Sequence, residues 1–576
     1  MLDVVLKGGT VVDGTGAPGL VADVGIRHGR IVAIGTVDEE ATRVVDATGL
    51  VVAPGVVDPH THYDAQLFWD PAASPSNVHG VTTVIAGNCG FTLAPLEPAD
   101  ADYLRRMMAR VEGMPLGALE DGLDWTWNSF ADYLALIDGN LGVNAGFLVG
   151  HCAVRRLVMG ADAVGGQPTP EQLDRMRKVL SDSLAAGALG FSSSQSYTHD
   201  DGDGAPVPSR HATDDELFAL CDVVREHPGT TLEYITDGCL QGFTDAEVER
   251  MAQMSVRAGR PLNWNVLTVD SRDPDKIAQQ LRPSDRAAEL GGRVVALTMP
   301  TLAGMNMNFA TFCALWLLPG WREVLDRPIP ERIEQLRDPE VRRTLDERAK
   351  SPEAGVVRRL SGWGGYLIGD TFSPENAGLS GRLVSDIAAE RGISDFDALL
   401  DVVIADDLRT VLWPSQSDDD EASWTLRAEL WEDPRVLIGG SDAGAHLDRM
   451  SGAPYPTKWL ADCIRGRKLV SMETAIRLLT SAPADLFGLV DRGRIVEGAH
   501  ADLFVFDPDT VGAGPLYMTP DLPGGNARLV ADSTGVAHVF VNGVETVRDG
   551  VGTGARPGTL FRSGRDTVTV PLPAGA

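Results

Sequence analysis

His60 and His62 stand one residue apart in Asp58-Pro59-His60-Thr61-His62, directly after the short apolar run Val56-Val57. On extended backbone, side chains at i and i+2 leave the same face, so both imidazoles can grip one divalent cation. Other donors follow other apolar runs. Cys89 lies in Gly87-Asn88-Cys89-Gly90 after 81–86, and His151 follows 144–149. Asp442 and His446 lie in Gly440-Ser441-Asp442-Ala443-Gly444-Ala445-His446 after 436–438. Each has an ordinary explanation: a lone Cys is more often a small buried hydrophobe, and Gly-Ser-Asp-Ala-Gly suits a turn. His28, His79, His211, His227, His500 and His538 are read as surface or core residues. What favours chemistry is the combination of a His-x-His pair, a thiol and a carboxylate, each placed after a strand-like run. The expected centre is a metal site of His60, His62, Cys89 and Asp442, with Asp442 also a catalytic carboxylate. Imidazole and thiolate donors favour Zn2+, although another divalent metal can fit.

Those donors meet only if the runs before them end in one place. The segment 53–486 alternates strand-like and helix-like patterns: strands at Val81–Ala86, Asn144–Val149, Ala188–Ser192, Thr230–Ile235, Leu262–Leu267, Arg293–Leu297 and Val436–Ile438. Helices fall between them, for example with Leu173, Met176, Leu180 and Leu184 at helical spacing, and over 214–226, 245–258 and 274–290. Helices at 379–391 and 394–406 are expected to lead into the last strand. With Val56-Val57 the strands number eight, which predicts an α/β fold, a (β/α)8 TIM-like barrel with its chemistry at the carboxyl ends of the strands. An open doubly wound sheet is the structural rival. Residues 300–378 break the rhythm and read as an insertion at the barrel mouth; their Met/Phe/Trp-rich stretch near 305–321 suits an acyl pocket, core packing or a subunit interface equally. Residues 1–52 and 487–576 read as short strands between turns, and predict one small β-sandwich domain formed by both termini.

Composition narrows the function classes. At 576 residues the chain exceeds the roughly 150 of an ordinary domain. A net charge of -31 repels phosphate backbones and anionic lipid, so neither nucleic acid nor membrane is an expected partner. No uncharged apolar stretch reaches the roughly eighteen residues of a membrane span. The start, MLDVVLKGGTVVDG, lacks the pattern of a secretory leader, and six cysteines with no C-x-x-C pair form neither a disulfide framework nor a zinc ribbon. A cytoplasmic protein acting on a small-molecule substrate is expected, with homo-oligomerisation left open.

Several segments together resemble the amidohydrolase superfamily, and within it the D-aminoacylase or N-acyl-D-amino-acid deacylase family. They are G-G-x-x-V-D-G-T-G (8–16), A-P-G-V-V-D-P-H-T-H-Y-D (53–64), T-T-V-I-A-G-N-C-G-F (82–91), L-V-G-H-C-A-V-R (148–155), G-G-S-D-A-G-A-H (439–446) and G-R-I-V-E-G-A-H-A-D-L-F-V-F-D-P (493–508). The resemblance spans nearly the whole chain. It implies metal ligation by His60 and His62, a metal-binding thiolate at Cys89 and a catalytic carboxylate at Asp442. It departs where the family carries a His after the fifth strand and another after the sixth, the latter followed by a Lys. Here those stretches read Leu232-Glu233-Tyr234-Ile235-Thr236-Asp237 and Trp264-Asn265-Val266-Leu267-Thr268. A carboxylated lysine does not fill the gap, because Lys7, Lys178, Lys276, Lys350, Lys458 and Lys468 all lie away from strand ends. The remaining donors suit one cation better than two.

The implied reaction is hydrolysis of an amide C–N bond, with hydroxide generated on the metal and Asp442 as general base and then general acid. His151 is expected to help stabilise the oxyanion. Arg155 or Arg210 is expected to hold a substrate carboxylate, with His446, Glu233 and Asn265 as further substrate-facing groups; Glu233, polar where a buried strand should be apolar, is alternatively a hydrogen-bonded core group or a ligand or base. Two other readings stay open: a carbamate, cyclic-amide or lactone hydrolase of the same superfamily, and a non-catalytic relative.

Overall fold

The computed structural model describes residues 1–573 except 303 and 417. By contact density these fall into two compact units, one of 1–301 with 421–573 and one of 302–420.

The first unit is a mixed α/β fold organised by parallel strands: β1 (Val56–Asp58), β2 (Val81–Ala86), β3 (Asn144–Phe147, resumed at Val149–Gly150), β4 (Gly190–Gln195), β5 (Thr231–Thr236), β6 (Leu262–Trp264), β7 (Val294–Thr298) and β8 (Val436–Ile438). Each pairs in parallel with the next. A further parallel bridge, Thr61 with Ala443, joins the segment after β1 to the segment after β8. Their side chains are buried almost throughout, as expected of strands covered on both faces. Helices return the chain between strands, and capping fixes where they begin. Thr244 accepts from the Glu247 amide while Glu247 reaches back to the Thr244 amide, starting the helix Asp245–Ala258.

Both ends of the chain share one nine-stranded sheet. Leu503–Phe506 lies antiparallel beside Val51–Pro54, so the late strands continue the sheet begun by the early ones. Val4, Leu6, Val24, Ile26, Val52, Val505 and Phe540 form its core. The tail does not follow the expected boundary. Leu560 bridges Ala145 of β3, and Phe561 packs with Val57, Ile85, Leu189, Val295 and Leu437 of the parallel strands. Apolar side chains outweigh chain proximity there: Leu560 and Phe561 are buried against the parallel strands.

The second unit is longer than the expected insertion of 300–378. It runs to Asp420 because the helices Val384–Arg391 and Asp395–Ala405 bury Val384, Phe396, Leu399 and Val403 in its own core. A different helix, Glu421–Trp431, precedes β8. The aromatic-rich stretch supplies Phe309, Leu315, Leu318 and Trp321 to that core, with Trp321 5.6 Å from Trp363 and Trp363 4.8 Å from Phe396. Both indole N–H groups are satisfied, Trp321 by the Leu345 carbonyl and Trp363 by Asp346.

One ion pair ties the early and late strands of the shared sheet. Arg43 donates to both oxygens of Glu545 at 2.9 and 2.8 Å, and Glu545 also accepts from Arg548 and His538. Burial works against the charge, but these donors win and draw the Glu545 carboxyl down to about 2. Its folded-state value is depressed, so the stability it contributes is present above the ordinary carboxyl value of 4.5 and disappears as pH falls toward about 2. Glu545→Gln should therefore lower the melting temperature at pH 7, with the gap to wild type closing below about pH 4.5. A gap independent of pH would show that the ion pairing contributes nothing.

Candidate metal centre

Backbone bonds between neighbouring strand ends hold the centre in place. The Thr61 amide donates to the Ile85 carbonyl at 2.9 Å, His62 to Ala443 at 2.7 Å and Asp442 to His60 at 3.2 Å. The Asn88 side chain bonds the carbonyls of Thr61 and Ile85. Between these anchors the chain turns sharply. Cys89, Asp442 and His446 have φ of 56°, 56° and 51°, a region that side chains with a Cβ seldom occupy. Three such residues at one place mark a site where surrounding contacts outweigh local preference. Gly440 is required by a close approach: a Cβ there would meet Asn265 Oδ1 at 2.3 Å.

The donor atoms converge. His62 Nε2 lies 3.2 Å from Asp442 Oδ1, and His60 Nε2 lies 3.4 Å from the same oxygen. Cys89 Sγ is 3.5 Å from His60 Nε2, and Glu112 Oε2 is 3.5 Å from His62 Nε2. One donor atom each of His60, His62 and Cys89 fall within 4.8 Å of one another. Donors about 2.0–2.3 Å from one tetrahedral zinc lie about 3.3–3.6 Å apart, so these spacings are those of a ligand cage. His60 Nε2 pairs with Cys89 Sγ, but His60 Nδ1 and both ring nitrogens of His62 are buried without a hydrogen-bond partner. The cluster of His60, His62 and Cys89, with Asp442 Oδ1 facing both imidazoles, is a donor set that could hold one or two divalent cations.

The charges make the same point. Asp58, Asp64, Glu112 and Glu233 are all buried around the two imidazoles. Burial raises their carboxyls, to about 7 for Asp58, 6 for Asp64, 7 for Glu112 and 8 for Glu233. Burial also pushes the Cys89 thiol well up, assisted by Glu233, Glu112 and Asp442. His60 is lowered by burial, whereas in His62 the same penalty is overridden by Glu112, Asp442 and Asp64, lifting it to about 10. Asp442 would be raised by burial but is held well below its ordinary value by His60 and His62. Without a cation the raised carboxyls take up protons near neutral pH, and a divalent cation would offset their charge and keep them ionised.

The structure sorts the residues expected from the sequence. His60, His62, Cys89 and Asp442 come together. Glu233 joins them, its Oε2 accepting from the Cys89 amide at 2.8 Å while Oε1 is buried without a partner. Asn265 abuts Gly440, and His446 Nε2 lies 3.9 Å from Asp442 Oδ2 with its side chain 24% exposed. His151 offers no free nitrogen for an oxyanion: Nδ1 engages Ser193 Oγ and Nε2 engages Glu216 Oε1, both at 2.8 Å. Arg155 is fully buried and occupied by Glu216 and the carbonyls of Gly166 and Ala163, so it does not reach out as a carboxylate clamp. Arg210 bonds Asp200 and the carbonyl of His199 and keeps some exposure.

Sequence reasoning missed Glu112, Asp64 and His199. Glu112 follows the helix Ala101–Val111, far along the chain from any strand end. Its one signal is an acid at a helix carboxyl terminus, where the dipole disfavours negative charge. Asp64 lies within the matched 53–64 segment, and its Oδ2 accepts from the Gly87 amide at 3.2 Å. His199 is lowered to about 3 by burial and by the neighbouring His446 and His62.

The Amidohydrolase family model matches residues 43–550, and the chain belongs to that family. An N-acyl-D-aspartate deacylase of Alcaligenes xylosoxydans xylosoxydans is 30% identical, over 98% of this chain and 95% of its own. A solved structure of D-aminoacylase superimposes with TM-score 0.64 at 27% identity, covering 98% of this chain and 100% of that one. The N-acyl-D-glutamate deacylase of Bordetella bronchiseptica was solved with zinc and a phosphonate that mimics the tetrahedral intermediate. It superimposes with TM-score 0.61 at 26% identity, covering 97% of this chain and 99% of its own.

Elemental analysis tests the cage. Purified wild type should carry at least one equivalent of divalent metal, and a His60→Ala/His62→Ala variant should carry almost none. Retention of stoichiometric metal by that double variant would refute the centre.

Proposed function

We propose that this protein is a metal-dependent hydrolase of amide C–N bonds that removes the acyl group from N-acyl-amino acids. The observation that carries the proposal is the position of Asp442, its Oδ1 facing both imidazoles and its Oδ2 facing His446. We further read the eight parallel strands as a (β/α)8 barrel, supported by the Thr61–Ala443 pairing between its first and last segments. The shared sheet of both termini is read as a small β-sandwich domain of 1–52 and 487–576, less the tail that packs against the parallel strands.

A bound divalent cation would polarise the substrate carbonyl and bring the pKa of a water toward about 7. The remaining work belongs to side chains. Asp442 takes the proton of the attacking water and returns it to the departing nitrogen. The bonds from Asp442 N to His60 O and from Ala443 N to Ser441 Oγ fix the backbone that aims this carboxylate. Ser441 Oγ also donates to the buried Asp58, locking the β8 turn onto the end of β1. His446, on the open side of Asp442, is placed to orient the substrate. Of the two guanidinium groups expected to meet a substrate carboxylate, Arg210 is the one left with access. The deacylases among its relatives support a small acylated amino acid as substrate.

Asp442→Asn should keep fold and bound metal, because an amide oxygen can still face the cation, while kcat on an N-acyl-amino acid falls by about 10³-fold, within the range of lost acid–base catalysis. The assay panel pairs N-acyl-D- and N-acyl-L-amino acids with carbamates and lactones. Turnover of lactones alone, or a fully active Asp442→Asn, would sink the assignment.

A further inference from the structure

The four donors His60, His62, Cys89 and Asp442 do not account for the acids around them. Glu112 is 3% exposed, and its Oε2 lies 3.5 Å from His62 Nε2. The loop bearing it is pinned from both directions: the Glu112 amide donates to the Met108 carbonyl at 2.9 Å, and its own carbonyl accepts from the His446 amide. Glu233 is fully buried on β5. Its Oε2 is fixed by the Cys89 amide, which leaves Oε1 sealed from water with no hydrogen-bond donor. A buried carboxylate oxygen without a donor is unfavourable, and is relieved by taking up a proton or by facing a cation.

Resting on the reading of the centre as a metal site, we propose that Glu112 and Glu233 are themselves cation ligands. Glu112 extends the centre beyond His62, and Glu233 extends it beside Cys89. The 3.5 Å between Glu112 Oε2 and His62 Nε2 equals that between Cys89 Sγ and His60 Nε2, and Glu233 reaches the Cys89 loop through the Cys89 amide, so each carboxylate borders the cluster of His60, His62 and Cys89. Hard carboxylate oxygens at that border also broaden the metals accepted, toward manganese and away from thiolate-selective ions.

The test uses full-length protein stripped with chelator and titrated with Zn2+ against a chromophoric competitor. Wild type, Glu112→Gln, Glu233→Gln and His60→Ala are compared. Glu247→Gln serves as a control, a buried carboxylate whose partners are Thr236 and Thr244. Each of the two site glutamine variants should bind zinc at least about tenfold more weakly, while the control matches wild type. A second reading comes from melting. Without metal, losing one of several crowded carboxyls should leave each site variant at least as stable as wild type, and added zinc should raise its melting temperature less. Should a glutamine variant fail to fold, aspartate at the same position should give intermediate affinity. Wild-type affinity in either glutamine variant removes that carboxylate from the cage, and in both it overturns the proposal. If His60→Ala loses zinc while both glutamine variants keep it, this proposal alone falls; if His60→Ala also binds as wild type does, the metal centre falls with it.

Discussion

Buried carboxyls are the constraint around which this protein is arranged. Asp58, Asp64, Glu112 and Glu233 are buried around two imidazoles and a thiol, with the partly exposed Asp442 at the open side. A metal-free chain gains little by gathering them, because each carboxyl gives up hydration and repels the others. The structure nonetheless gathers them with backbone bonds, tight turns and three left-handed residues. Binding energy from a cation, realised only in the folded state, is the term that compensates.

The parallel strands explain how donors so distant in sequence meet. Each strand contributes a carboxyl end, and the Thr61–Ala443 pairing draws the last of these beside the first. Groups not aimed at the cation have structural work to do. His151, Glu216 and Arg155 form a buried chain joining the helix His151–Met159 to the helix Asp214–Arg225. The Asp58–Ser441 bond joins β1 to the turn after β8.

Much of this was legible in the amino-acid order. Val81–Ala86, Val436–Ile438 and the helix over 245–258 lie where the pattern placed them, because β-branched runs and capping residues act locally. The His-x-His pair, Cys89 and Asp442 were legible because each follows its strand directly. Residues whose meaning depends on a distant partner were not. A histidine after a strand reads alike whether it faces a cation or a neighbouring helix, and only the position of Glu216 decides for His151. Glu112 reaches the centre from a loop with no periodic signal. The helices Val384–Arg391 and Asp395–Ala405 read as barrel helices from their spacing, but the aromatic cluster of Trp321, Trp363 and Phe396 claims them for the second unit.

The sheet shared by both termini bears on how the chain emerges from the ribosome. Val51–Pro54 must await Leu503–Phe506, its antiparallel neighbour, synthesised some 450 residues later. At about 5–20 residues per second that delay is roughly 20–90 seconds, during which the early strands expose an unpaired edge. Helices and parallel strands in between can form as they appear, yet the amino-terminal segment cannot reach its final pairing until translation is nearly over. Until then the first fifty residues present that edge to other chains, and truncated translation products should be sticky rather than partly functional.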